Sequence, residues 1–409
     1  MALSVFEMNS VALLNDPFPE LQRLLDAGPI VKTKIPIIGS TWTLTSYSAV
    51  DEFLRDSKRF VRDPAKAGKK LVAGMQWWMP AMFRALAQNM MARDGDDHRR
   101  LRLLVEKAFA RRNVDGMRAH IVEVVDELVD QMGSNTSNDG HVDFVEYFAR
   151  ELPLAVICEL LGLPDSDRPK FRNWFAPISK VSSLIGFFRI MPGMFKLKKY
   201  LVAQIEQCRK QPREGLISAL IEAEESGDQL SHDELVAMIF LLLIAGHETT
   251  THLLSGGLLT LLDHPAERHR LCADWSLAES AIDEILRYTT PVQMCKPRYA
   301  VEDLELYGHT IRRGEFVTGF LASANVDPAE FSNPQQFDIT RSPNRHVSFG
   351  KGIHTCLGLR LAHMETEVAF QRLFDRYPEI QLAVPRDTIP WSSRVGMRTL
   401  ARLPVRLSG

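Results

Sequence analysis

Between Ser231 and His264 the chain carries roughly thirty residues of continuous helical periodicity, rich in Leu. At 1.5 Å per residue such a rod is about 48 Å long. It is apolar on nearly every side, so it must run through the middle of a helix-rich body. Ser231-His232-Asp233-Glu234 is a capping box that fixes its start. At its centre, however, stand Ala245-Gly246-His247-Glu248-Thr249-Thr250-Thr251. Burying a carboxylate and hydroxyls without partners is costly, so a purely structural helix would not place them there. Gly246 removes side-chain bulk, and the hydroxyls beside it can compete for the backbone ladder and open a local kink. The wholly apolar part, residues 235–246, is about twelve residues long, short of the roughly twenty needed to span a bilayer.

A second feature carries chemistry. Cys356 lies in the run Phe349-Gly350-Lys351-Gly352-Ile353-His354-Thr355-Cys356-Leu357-Gly358, and an amphipathic stretch begins directly after it. A thiol on a glycine-rich turn before a helix is expected to be pulled toward the thiolate by unpaired N–H groups and the helix dipole. The glycines let backbone approach a flat, bulky ligand. A thiolate held this way can be the axial ligand of a haem iron, where its electron density favours O–O cleavage.

The spacing Phe-x-x-Gly-x-x-x-Cys-x-Gly resembles the haem-ligand signature of the cytochrome P-450 family at every fixed position. The centre of the long helix is similar to that family's Ala-Gly-x-Asp/Glu-Thr, which flanks the oxygen-binding face. The resemblance implies haem b (iron protoporphyrin IX), with Cys356 as the iron's axial ligand and Phe349, Gly350, Ala245 and Gly246 lining the cofactor. Thr249 would hydrogen-bond the oxygen substrate or a water beside it, and Glu248 would relay protons inward as general acid delivery. His247, Thr250 and His252 are not constrained by the pattern and read as packing residues. The intact acid–Thr pair argues against the peroxygenase branch. The chain departs from most bacterial relatives at Gly358-Leu359 and at His363, where Arg is usual; both bear on partner docking or packing more than on haem.

The rest of the sequence agrees with a mainly α fold bearing small β-sheets, the family's triangular helical prism, over one domain of residues 1–409. Helices are expected over 46–55, 98–110, 114–132, 143–163, 200–225, 231–262, 277–288 and 356–374. Residues 30–35 and 42–44 read as a hairpin, and 304–307, 310–311 and 316–320 as short strands broken by Gly308 and Gly314. A net charge of −2 argues against a nucleic-acid protein. Five scattered cysteines form neither a disulfide framework nor a metal cluster, which fits a reducing cytoplasm. The first residues show neither signal peptide nor membrane anchor.

Glu284-Ile285-Leu286-Arg287 fits Glu-x-x-Arg, a pattern that also occurs at Glu20, Glu52, Glu206 and Glu267. Only the Glu284 copy leads into Thr289-Thr290-Pro291-Val292 and then Arg298. In the family this pair joins a later Arg in a buried structural network; the third partner is Arg341 or Arg345. Haem propionates need cationic donors. His98 and Arg102, four apart on one helix, match the family's His-x-x-x-Arg, and Arg298 and His354 match two further propionate positions.

The Met- and aromatic-rich segment 75–91, with Trp77, Trp78, Met82 and Phe83, falls where the family roofs its substrate pocket, and Arg84 is its one obvious charge. Val292, Met294 and Met397 complete the expected lining, and residues 184–195 fall where a mobile lid loop is expected. Arg99, Arg100, Lys107, Arg111 and Arg112 crowd one helix, with Lys351 and Arg360 beside the Cys loop, a face that could steer an acidic ferredoxin or flavodoxin. No flavin, NAD or Fe–S motif is visible, so electrons must come from separate proteins. The expected function is a monooxygenase that hydroxylates or epoxidises a sizeable apolar small molecule with O2; terpenoid, steroid, fatty-acid and polyketide-like compounds all remain open. The alternatives are a peroxygenase or isomerase on the same fold, and a non-catalytic haem sensor.

Overall fold

The computed structural model describes residues 11–35, 38–69, 88–112, 114–137, 139–175, 184–225 and 230–407. Helices α1 (Val11–Asn15) and α2 (Phe18–Asp26) precede the hairpin of β1 (Ile30–Ile35) and β2 (Gly39–Leu44). Then come α3 (Tyr47–Arg55), β3 (Phe60–Val61), α4 (Gly95–Arg112), α5 (Arg118–Ser134), β4 (His141–Asp143), α6 (Glu151–Leu161) and α7 (Arg168–Phe175). The middle of the chain forms α8 (Leu184–Lys210), α9 (Leu216–Glu225), α10 (His232–Asp263), α11 (Pro265–Ala273) and α12 (Ala278–Thr289). After it follow β5 (Arg298–Ala300), β6 (Leu304–Leu306), β7 (His309–Ile311), β8 (Phe316–Gly319), α13 (Leu321–Ala324) and an irregular stretch carrying Cys356. The chain closes with α14 (Leu359–Arg376), β9 (Gln381–Leu382), the hairpin β10 (Trp391–Arg394) and β11 (Met397–Leu400), and β12 (Pro404–Arg406).

Helix α10 is the axis of the molecule. Its start is held as the sequence requires: Ser231 Oγ accepts from the Glu234 N–H at 3.3 Å, and Glu234 Oε2 accepts from the Ser231 N–H at 3.0 Å. Among the described residues it is the one helix long and apolar enough to cross a bilayer. Here that apolar surface packs on α6, α12 and α14. A Cβ at Gly246 would lie 3.0 Å from Ile157 Cδ1, so the glycine admits close approach of α6. The helix is continuous through this turn. Thr249, Thr250 and Thr251 each donate back to the carbonyl four residues earlier (Ala245 at 2.8 Å, Gly246 at 3.3 Å and His247 at 3.0 Å), and the helix runs uninterrupted.

Beside the helices lies a five-stranded sheet in the order β1-β2-β8-β5-β3, with β2 and β8 parallel and its other pairings antiparallel. It fixes the segment that leads from α12 to Arg298, because Arg298 pairs with Val317. Smaller ladders join β4, β12 and β9, and β10 with β11.

Several expectations fail for identifiable reasons. The helix expected over 200–225 is two helices, broken at Gln211-Pro212 and at Gly215, whose φ of +145° brings its Cα against Gly162. The helix expected over 143–163 is instead the end of β4, a π-helical turn (Val145–Ala149) and α6, since residues 141–143 pair with the C-terminal β12. The lid loop expected at 184–195 is helical, the first part of α8, with Pro192 inside it. The helix after Cys356 begins at Leu359 with Gly358 as its cap, so the cysteine itself precedes it.

Candidate active site

The residues around Cys356 form a tight loop before α14. The Cys356 N–H donates to Phe349 O and the Gly350 N–H to Val347 O, each at 2.8 Å. Gly352 has φ +71°, and a Cβ there would lie 2.7 Å from Leu54 O, so only glycine lets the loop press against the end of α3. One electrostatic expectation is reversed. Burial raises the Cys356 thiol above its ordinary pKa and outweighs the Gly358 N–H and Arg102, which lower it. The helix start therefore does not by itself make a thiolate; a bound metal cation would. Cys356 presents accessible surface while protein surrounds it on most sides, as a group lining an internal space does.

Around this loop the fold gathers cations with few carboxylates. Arg102 Nη1 donates to Thr355 O at 2.7 Å and Ile353 O at 3.2 Å, tying α4 to the Cys loop. The rings of His98 and His354 stand 4.5 Å apart. Arg298, 1% exposed, donates to the carbonyls of Phe53, Leu54 and Asp56. Two further members were not foreseen: buried Arg62, beside β3, and Lys296, two residues before Arg298. Burial and the Arg298 charge lower Arg62 to about 10, and burial and Arg62 lower Lys296 to about 8. His98 and His354 are also pushed down, first by burial and then by the arginines around them. Asp94 binds the Arg62 and Asp63 N–H groups, and Glu106 takes Arg102 Nε. Arg62 Nε, Arg298 Nε and His354 Nδ1 are buried without a hydrogen-bond partner among the described residues. Buried cations left this way are costly. The cluster calls for an anionic group with several acceptor oxygens, and the two propionates of haem fit that requirement.

The central turn of α10 borders open space: Ala245 is exposed although it sits mid-helix. Gly246 turns the side a Cβ would occupy toward Ile157 of α6, so its expected place against the cofactor can involve backbone only. Glu248 is ion-paired with Arg394, at the tip of the β10–β11 hairpin, a residue that sequence reasoning passed over. The same hairpin gathers the expected pocket residues. Val292 bridges to Met397, the Gln293 N–H donates to Gly396 O at 2.9 Å, and Met294 Cε lies against Gly396. Trp77, Trp78, Met82, Phe83 and Arg84 lie outside the described residues.

Behind the Cys loop, Glu284 and Arg287 are both 0% exposed and joined by two 2.8 Å bonds. Arg341, not Arg345, reaches Glu284, with Nε 3.1 Å from both oxygens; Arg345 is exposed and nearest Glu330 at 3.9 Å. The neighbouring Asp283 takes His346 and His363, each at 3.2 Å. Burial alone would raise Asp283, but those two imidazoles carry it well below the carboxylate range. His363 thus belongs to a structural cluster under Phe349, whose ring lies 5.7 Å away.

This geometry has a known counterpart. The family model described as Cytochrome P450 matches residues 27–276 and 267–399. The chain belongs to the cytochrome P450 family. It is 39% identical to the polyketide biosynthesis cytochrome P450 PksS of Bacillus subtilis, over 96% of both chains. It is 36% identical to the monooxygenase PikC of Streptomyces venezuelae, over 96% of this chain and 91% of that one. Among solved structures, the myxobacterial cytochrome P450 CYP267B1 in complex with myristic acid superposes with a TM-score of 0.90 at 38% identity, covering 98% and 99% of the two chains.

As a cytochrome P450 the protein is a haem b oxidoreductase of the monooxygenase class, and its mainly α fold with small sheets is the family's. The basic surface expected of such an enzyme is partly neutralised. Arg100 turns to Glu234 at 2.6 Å, Lys351 to Asp51 at 2.8 Å and Arg360 to Asp115 at 3.0 Å, although Arg360 stays 76% exposed.

Proposed function

We propose that this P450 inserts one atom of O2 into a long or macrocyclic apolar substrate of fatty-acyl or polyketide type. Residues 1–409 would work as one catalytic unit in the cytoplasm, fed by a separate ferredoxin or flavodoxin and its reductase. Support for the substrate class comes from PksS, named for polyketide biosynthesis, and from CYP267B1 with its myristic acid. The observation that supports the reading is an anion-seeking cluster of buried cations gathered around a thiol loop.

Haem supplies reductive activation of O2 and transfer of one oxygen atom to the substrate. The protein's own residues divide the remaining work. Cys356 is the iron ligand. Arg62, His98, Arg102, Lys296, Arg298 and His354 hold the propionates by charge-assisted hydrogen bonds. Thr249 has its hydroxyl hydrogen on Ala245 O, which leaves its oxygen lone pairs turned outward to receive a donor. Glu248 holds and passes the proton that oxygen reduction consumes. Val292, Met294 and Met397, flexible and apolar, shape the substrate side.

A Soret-shift titration with C12–C18 fatty acids and macrolactones, followed by turnover with a ferredoxin system, tests the reading. A shift with one of these classes and an oxygenated product are expected; no shift with either class sinks the substrate assignment. Thr249→Ala should uncouple reductant use from product while leaving the haem spectrum intact. Unchanged coupling would favour the peroxide-using or sensor alternatives.

A further inference from the structure

Toward the C-terminal half of α10 lies a cavity of about 210 Å³. His252, Gly256 and Thr260 of α10 form one wall, Trp391 and Arg398 of the hairpin the other, and Asp16 stands at the exposed end. The volume admits several waters, since one needs only roughly 10–15 Å³.

The wall residues recur every fourth position, so they form one stripe along the helix, and Glu248 is the next position inward on that stripe. Both ring nitrogens of His252 are buried without a hydrogen-bond partner among the described residues, and so is the Trp391 indole N–H. Three unmet polar atoms in one cavity call for polar guests. The charges at the wall are balanced: Arg386 pairs with Asp263 at 2.8 Å, and Asp16 stands opposite Arg398, which itself donates to Leu14 O at 2.9 Å and lies over Trp391. A water-filled passage there would carry no strong field of one sign.

We propose that this cavity is the proton entry route of the enzyme, with His252 as the positioning residue that hands protons from solvent to Glu248. The inference rests on the relay role given to Glu248 above. In one transfer, a proton from a solvent water joins the lone-pair nitrogen of neutral His252 while the N–H on the other nitrogen gives its proton inward, directly or through one water, to the Glu248 carboxylate. The imidazole is left as its other tautomer, with no change of charge; a ring flip restores the starting tautomer before the next transfer, and bulk solvent neutralises the hydroxide left by the donating water. Such a relay needs one donor and one acceptor. Burial and the nearby His247 and Arg150 hold the ring neutral, its pKa pushed down to about 3, so it keeps one of each.

The test compares wild type, His252→Leu, His252→Gln and Glu248→Gln as haem-loaded enzymes. Product per reductant consumed is followed with myristic acid as the probe, and crystal structures are determined to locate cavity waters. The expectation is a water chain from Asp16 to His252 in wild type. His252→Leu should lose its inner waters and lower coupling about tenfold, and His252→Gln, which keeps a donor and an acceptor, should recover most of it. A dry cavity in wild type overturns the proposal whatever the kinetics. So does normal coupling in His252→Leu alongside a damaged Glu248→Gln, an outcome that leaves the Glu248 relay standing. If Glu248→Gln is itself unaffected, the relay reading falls first and the route with it.

Discussion

Glu248, in the middle of the central helix, is ion-paired with Arg394 at the tip of the C-terminal hairpin. The pair joins the middle of the central helix to the hairpin that borders Val292 and Met294. It also means that Glu248 does not face its chemistry alone: a cation, 21% exposed, sets its charge and its direction. Replacing Arg394 by Leu should leave Glu248 without that partner, lower product per reductant several-fold and shift the acidic limb of the turnover pH profile upward. Arg394→Lys should preserve both. Identical pH profiles in wild type and the Leu variant would show that the pair has no part in proton delivery.

In the Glu284–Arg287–Arg341 network Glu284 and Arg287 are fully buried, and Arg287 also donates to the carbonyls of Asn325, Pro334 and Gln336. Removing one partner of a buried ion pair leaves an uncompensated charge and costs about 3–5 kcal/mol. Arg287→Leu should therefore lose that much stability in denaturant titration and retain little haem. Arg345→Leu, which touches nothing in the network, should change stability by less than about 0.5 kcal/mol.

The cation cluster makes an unusual demand on the apoprotein. Arg298 is buried beside Arg62 and His354 with its Nε unmatched among the described residues. Arg298→Gln should weaken haem binding about tenfold or more, the worth of one charge-assisted hydrogen bond, yet leave the apoprotein as stable as wild type or more so. Parallel haem titration and apoprotein melting separate the two effects. An apoprotein that loses stability as well would place Arg298 among the structural residues.

Glu365, on α14, is 2% exposed with Oε2 unpartnered among the described residues, and burial pushes its pKa up to about 8. Unfolded, it would ionise near 4.3. Between those values the folded state keeps a proton that the unfolded state has released, so stability falls as pH rises from about 4.3 to 8 and levels off above. Glu365→Gln should remove this slope and gain at least about 1.4 kcal/mol at pH 8, the worth of one pKa unit. A variant whose stability changes with pH as wild type does would mean that Glu365 has a partner.

The parts of the site that were legible beforehand share a property: their residues are close in sequence or locked into one helical turn. The Cys356 loop, the capping box at Ser231, Ala245–Thr249 and Glu284/Arg287 all declare themselves by local spacing. Arg62, Lys296 and Arg394 do not. They reach the site from the ends of strands two to four residues long, where no periodicity exists to read, and sheet pairing far along the chain brings them in. The break between α8 and α9 is different: Pro212 and Gly215 were visible breakers that the long helical pattern overrode. The hydroxyls of Thr249–Thr251 are a third case: bonding back to the preceding turn satisfies them within their own helix, so their burial calls for no outside partner.

The central assignment is that the sulfur of Cys356 binds the haem iron. Ferrous protein under carbon monoxide reports on that bond directly. Wild type should show the absorbance maximum at the wavelength that gives the family its name, and Cys356→Ala should lose it. Absence of that band in wild type, or its survival in the variant, would contradict the account.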